Sequence, residues 1–171
     1  FILGQSTSQF QKDLVDSGVT LSANLSYYTQ KYTGPIAASA QAKPKKLREA
    51  IRKLLREIYQ LRDPSYYTDE QLANAKSILA ARDVYGREKT SHFTHTVSYW
   101  WAVDGVDYYL DYVENLRDVT RKDIANYVDE YILGEPFVIG VLASPRVESK
   151  YGLDEKTVRK IVEDVRSEFE K

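Results

Sequence analysis

The stretch GVTLSANLSYYTQKYTGPIAASAQAKPKKLREAIRKLLREIYQL, Gly18 to Leu61, decides the fold class. Its first part alternates Val19, Leu21, Ala23, Leu25 and Tyr27 with Thr20, Ser22, Asn24, Ser26 and Tyr28. A period of two places one side-chain set on each face of a strand, so this reads as a strand with one apolar face. Gln30-Lys31-Tyr32-Thr33-Gly34 breaks the alternation, and Ile36 to Ala42 resumes it with small residues, which predicts a β-hairpin. Pro44 then opens a helix to about Arg62, because a proline at the first turn gives up only an N–H that has no partner there. Leu47, Ile51, Leu54, Leu55, Ile58 and Leu61 make its apolar stripe.

Working outward, Ser6 to Asp16 reads as a short helix with Phe10, Leu14 and Val15 apolar. Thr68-Asp69-Glu70-Gln71 is a capping box that opens a helix to about Tyr85, with Gly86 as its stop. Helical patterns follow over Lys89 to Ala102 and Val106 to Glu114, and Thr120-Arg121-Lys122-Asp123 starts another with Ile124, Tyr127, Val128 and Tyr131 on one face. Phe137 to Ala143 is a continuous apolar run, which predicts a central strand buried on both faces. The order hairpin, helices, strand predicts a two-layer α+β fold, an antiparallel-type sheet packed against several helices. Residues 1–145 form the expected domain, incomplete at its start. Residues 146–171 form a helical extension capped by Asp154, with Val158, Ile161, Val162, Val165 and Phe169 on one face.

The composition narrows the function. The 171 residues carry a net charge of -1, which gives no reason to expect nucleic acid or an anionic membrane as the main partner. No apolar run is long enough to span a bilayer. Without cysteine, neither a disulfide framework nor a thiolate zinc site can form. The apolar start Phe1-Ile2-Leu3 lacks a basic region and does not read as a signal peptide; methionine is absent, so the chain reads as a processed product or a fragment, and its three expected strands need a partner edge, which predicts a further strand upstream. Its 14 tyrosines include the pairs Tyr27-Tyr28, Tyr66-Tyr67 and Tyr108-Tyr109, read as half-buried rings with wet hydroxyls; the sharper alternative is a surface that grips extended peptide.

Three groups of residues are candidates for chemistry. Glu88, His92 and His95 have the spacing to share one face of a helix and approach a metal, although two exposed helix histidines are the plainer reading. Lys43, Lys45, Lys46, Arg48, Arg52, Lys53 and Arg56 form a basic run, but Glu49 and Glu57 are interleaved and a solvated helix face explains it better than an anion site. Ser6-Thr7-Ser8 lacks a nucleophile elbow and a histidine relay. No zinc-peptidase motif, P-loop or dinucleotide fingerprint occurs. No catalytic, cofactor-binding or metal-ligating residue is therefore assigned.

Several phrases in fixed order carry a resemblance: Leu3-Gly4-Gln5-Ser6-Thr7-Ser8, Leu14-Val15-Asp16-Ser17-Gly18, the hairpin through Gly34-Pro35-Ile36, Leu47 to Ile58, Thr68 to Lys76, Val119 to Ile124, and the run from Phe137. In these the chain resembles the C-terminal half of the insulinase/pitrilysin-type zinc metallopeptidases, the inverzincin group. The resemblance implies one of a homologous pair of domains that enclose a peptide substrate in a clam-like chamber. It puts the zinc, its His-x-x-Glu-His ligands and the general base in the N-terminal half, outside this chain. Some C-terminal halves also supply an Arg and a Tyr, seven residues apart around the glycine before the hairpin. Alignment on Gly18 puts Leu14 and Leu21 there, and neither can donate a hydrogen bond. The implied role is a non-catalytic, substrate-enclosing domain of a zinc metalloendopeptidase; the alternative is a silent assembly subunit of the same family. The implied partners are the N-terminal peptidase domain or a partner subunit and a peptide substrate. The family's habits and the lack of cysteine favour an exported bacterial location.

Overall fold

The computed structural model describes residues 1–169; residues 170 and 171, the end of the expected extension, lie outside the described residues. The architecture is mixed α+β and about 63% helical, with eight α-helices and one two-stranded antiparallel sheet among the described residues. In chain order these are α1 (Gln9–Gln11), β1 (Ser22–Tyr27), β2 (Ile36–Gln41), α2 (Leu47–Gln60), α3 (Asp69–Gly86), α4 (Thr90–Val103), α5 (Val106–Asp118), α6 (Arg121–Tyr131), α7 (Pro145–Tyr151) and α8 (Glu155–Phe169). A π-helical turn, Lys12–Asp16, prolongs α1, and 3-10 turns at Pro44–Lys46 and Pro64–Tyr66 precede α2 and α3.

The hairpin forms where the alternation places it. Its register runs from Ser22↔Gln41 to Tyr27↔Ile36. A side chain at Gly34 would run into the Tyr27 ring and the Tyr28 carbonyl, so the return of the loop requires glycine. The expected apolar face is realised in part: Ala23 and Leu25 turn inward, while Leu21 and Tyr27 are exposed. Both Thr68 and Thr120 cap their helices in reciprocal capping boxes, with Gln71 and Asp123 as the N3 partners.

Two apolar clusters hold the helices together. Leu55 of α2 packs with Ile161 and Val165 of α8, flanked by Ile51, Tyr59 and Ile139. Leu61, Tyr67 and Val128 form the second cluster, joined by Leu25 of the hairpin and Ile124 of α6. The tail beyond residue 145 thus ends in a helix seated on α2.

One expected element is missing. Phe137 to Ala143 forms no strand among the described residues. Val138 is 96% exposed and Leu142 is 101% exposed, so the predicted burial on both faces is corrected. The composition of a central strand is present, but no neighbouring strand supplies the hydrogen bonds a ladder requires.

Candidate functional site

The corner at Gly18 is where the resemblance places substrate-facing groups. The π-helical turn ends there: the Ser17 N–H donates to Lys12 O, and Gly18 adopts φ +69° to redirect the chain into β1. Thr20 locks the corner, its N–H donating to Leu14 O at 2.8 Å and its Oγ1 at 2.9 Å. Leu14 is fully buried and Leu21 is 60% exposed. The two side chains therefore diverge, one into the core and one into solvent, and the corner offers a substrate carbonyl no side-chain donor from either position.

The sequence candidates take up separate places. Glu88 lies in the turn between α3 and α4, outside the helix that carries His92 and His95, so the expected shared helical face is not formed. All three are exposed, and among the described residues no three His, Cys, Asp or Glu side chains come together as a metal site. Ser8 is a structural cap: its Oγ donates to Leu3 O at 2.9 Å and accepts from the Gln11 N–H at 3.2 Å. The tyrosine pairs differ in burial. Tyr109 is buried and donates to Asp83 at 2.8 Å, whereas its neighbour Tyr108 is exposed beside Trp100.

Four members of the basic run, Arg48, Arg52, Lys53 and Arg56, find partners inside the molecule. Arg56 makes a bidentate pair with Glu168 at 2.8 and 2.7 Å. Arg52 pairs with Asp164 at 3.0 Å, and Arg48 donates to Gly152 O at 2.7 Å. Lys53 faces Asp13 at 3.7 Å. The Arg56 guanidinium holds the Glu168 carboxyl below the ordinary carboxylate range. Each pair is partly exposed and weak alone, but those of Arg52 and Arg56 align α8 along α2. A groove of about 560 Å³ remains between these helices, with cations and anions both on its walls. A second groove, of about 670 Å³, lies between the turn before α3 and the start of α6. Its Arg121 is already committed to Asp69 at 2.9 Å and Tyr67 O at 3.0 Å.

Sequence reasoning missed one group. Glu57 was expected on the solvated face of α2, yet it is 3% exposed and accepts a hydrogen bond from Tyr66 Oη at 2.5 Å. A signal was available: Ala50, Leu54, Glu57 and Leu61 follow i, i+4, i+7, i+11 spacing, which puts Glu57 on the apolar stripe. Burial pushes its carboxyl above the ordinary range, against the opposing pull of the Tyr66 hydroxyl. A carboxyl raised by folding contributes stability that is fully present below its unfolded pKa and is lost as pH rises through the folded value. Glu57→Gln, which keeps an acceptor for Tyr66, is therefore expected to remove this loss and flatten stability above the acid range. Tyr66→Phe strands the carboxylate and should cost about 1–3 kcal/mol at neutral pH, and less in acid, where the carboxyl is protonated. Urea midpoints measured across pH check both signs; a Tyr66→Phe penalty that grew in acid would contradict them.

Compared with known proteins, the chain matches no family model, no curated protein and no solved structure.

Proposed function

We propose that this chain is a non-catalytic, chamber-forming and substrate-enclosing domain of a zinc-dependent metalloendopeptidase. The support is the order and spacing of the resembling phrases from Leu3 to the run at Phe137, together with the hairpin that feeds α2. The observation that carries the non-catalytic part is the pair at the Gly18 corner. A buried Leu14 and an outward Leu21 cannot hydrogen-bond a peptide carbonyl or stabilise an oxyanion. On this reading the zinc, its ligands and the general base belong to a homologous N-terminal half, and this domain supplies wall surface.

The test uses the purified chain with unfolded peptides as substrate. The expected results are no stoichiometric zinc by elemental analysis and no hydrolysis. One zinc per chain with chelator-sensitive cleavage would overturn the proposal. The parent coding sequence separates the two family roles: a His-x-x-Glu-His in a linked or partner half supports the peptidase domain, and its absence from both supports the silent assembly subunit.

A further inference from the structure

Asp13 and Glu57 stand on either side of a single ammonium group, that of Lys53. Lys53 lies four residues before Glu57, so the two side chains leave the same face of α2. Among the described residues, however, Lys53 forms its ion pair with Asp13 and not with Glu57. Its Nζ reaches the π-helical turn Lys12–Asp16, 3.7 Å from Asp13 Oδ1, and donates to Ser17 Oγ at 3.4 Å. Ser17 Oγ in turn donates to the Asp13 carbonyl at 2.5 Å, so one ammonium grips both ends of the same turn. Among the described residues these are the polar contacts that join the turn and its Gly18 corner to α2. Both are long and the ion pair is partly exposed, so the grip is soft.

Glu57 has the opposite surroundings. It is buried, it accepts from Tyr66 Oη, and among the described residues no cation pairs with it. The groups that act on it are Tyr66 of the 3-10 turn, Asp13 of the π-helical turn and Lys53 of α2 itself, with the Tyr67 ring edge-on beside Tyr66 at 5.3 Å. A buried carboxyl that meets a phenol and a second carboxylate is favoured in its neutral form. Once its proton leaves to solvent, two carboxylates compete for one ammonium. Glu57 attracts it more strongly, because water is excluded around Glu57 and screens Asp13. The flexible four-carbon stem of Lys53 allows the move.

We propose that Lys53 is a proton-controlled latch: with Glu57 neutral it holds the π-helical turn to α2, and when Glu57 ionises it turns to that carboxylate and frees the Gly18 corner. The corner is then left to its own backbone bonds. These are Ser17 N–H to Lys12 O at 3.0 Å, Gly18 N–H to Val15 O at 2.8 Å and Thr20 N–H to Leu14 O at 2.8 Å. They open more often once the turn is no longer held from outside. The latch is closed at low pH and opens as pH rises through the folded-state titration of Glu57, the same direction as the loss of stability. This inference is independent of the peptidase reading.

Amide hydrogen exchange followed by NMR on the 171-residue chain tests it, from about pH 4.5 to about pH 8.5, where a raised carboxyl titrates. Protection factors, corrected for the intrinsic pH dependence of exchange, should fall severalfold at Ser17, Gly18 and Thr20. The midpoint should match that of the Glu57 carboxyl carbon shift, and the Lys53 side-chain shifts should move with it. Glu57→Gln should keep the corner closed across the range. Lys53→Met keeps the stem, removes the ammonium, and should leave the corner at its open, high-pH level at every pH. A corner that keeps its protection through the Glu57 titration, a response that persists in Glu57→Gln, or a Lys53→Met corner that still follows Glu57 would overturn the proposal.

Discussion

Leu14→Arg is expected to destabilise the chain strongly, while Leu21→Tyr leaves it intact. Both substitutions install, at the Gly18 corner, the residue types that the resemblance places there. Leu14 has no exposed surface and lies on the π-helical turn whose carbonyl is held by Thr20. A guanidinium at that position is carried into a site with no exposed surface, a loss of about 3–5 kcal/mol, a large share of the stability of an ordinary domain. Leu21 is 60% exposed at the entry to β1, where an aromatic residue suits a half-exposed strand, and the change should stay within about 0.5 kcal/mol. Thermal and urea unfolding followed by circular dichroism measure both. A Leu14→Arg variant as stable as the parent would mean that the corner opens to solvent, and the non-catalytic reading would lose its support.

Val165→Asp is expected to detach α8 from α2. Val165 has no exposed surface and packs with Leu55 and Ile161, so an aspartate there carries an unpaired charge into the cluster at a cost of about 3–5 kcal/mol. The ion pairs of Arg52 and Arg56 with Asp164 and Glu168 are too exposed to hold the helix once its apolar seam is lost. Two readouts follow. Limited proteolysis should cut within residues 152–169, and the released arginines should bind heparin in a salt-dependent way that the parent chain does not. Protection of the tail in the variant would show that the polar contacts, rather than the seam, seat α8.

How much was legible follows from the range of the interactions involved. Thr68-Asp69-Glu70-Gln71 and Thr120 to Asp123 carry their capping boxes within four residues, so both helix starts could be read directly. The hairpin and α2 were equally legible, because period two and a helical apolar stripe are local patterns. The partners of Arg52 and Arg56 lie 112 residues away on α8, and no local pattern names them. Glu57 was misplaced because its partner, Tyr66, comes from beyond the helix end, and polarity alone puts a glutamate outside.

The amino-acid sequence by itself determined the elements whose stabilising groups are close in the chain: capped helices, the hairpin with its glycine return, and the amphipathic α2. It also determined that leucines stand at positions 14 and 21, on either side of Gly18. The tertiary structure decided what those elements do with one another. It buried Leu14 and turned Leu21 outward, paired Arg52 and Arg56 with carboxylates of α8, and took Glu57 out of water. It also left Phe137–Ala143 outside any strand, with no backbone hydrogen bond among the described residues. A strand is completed only by the hydrogen bonds of a neighbour, so the apolar run could carry the composition of a strand but not supply the strand that pairs with it.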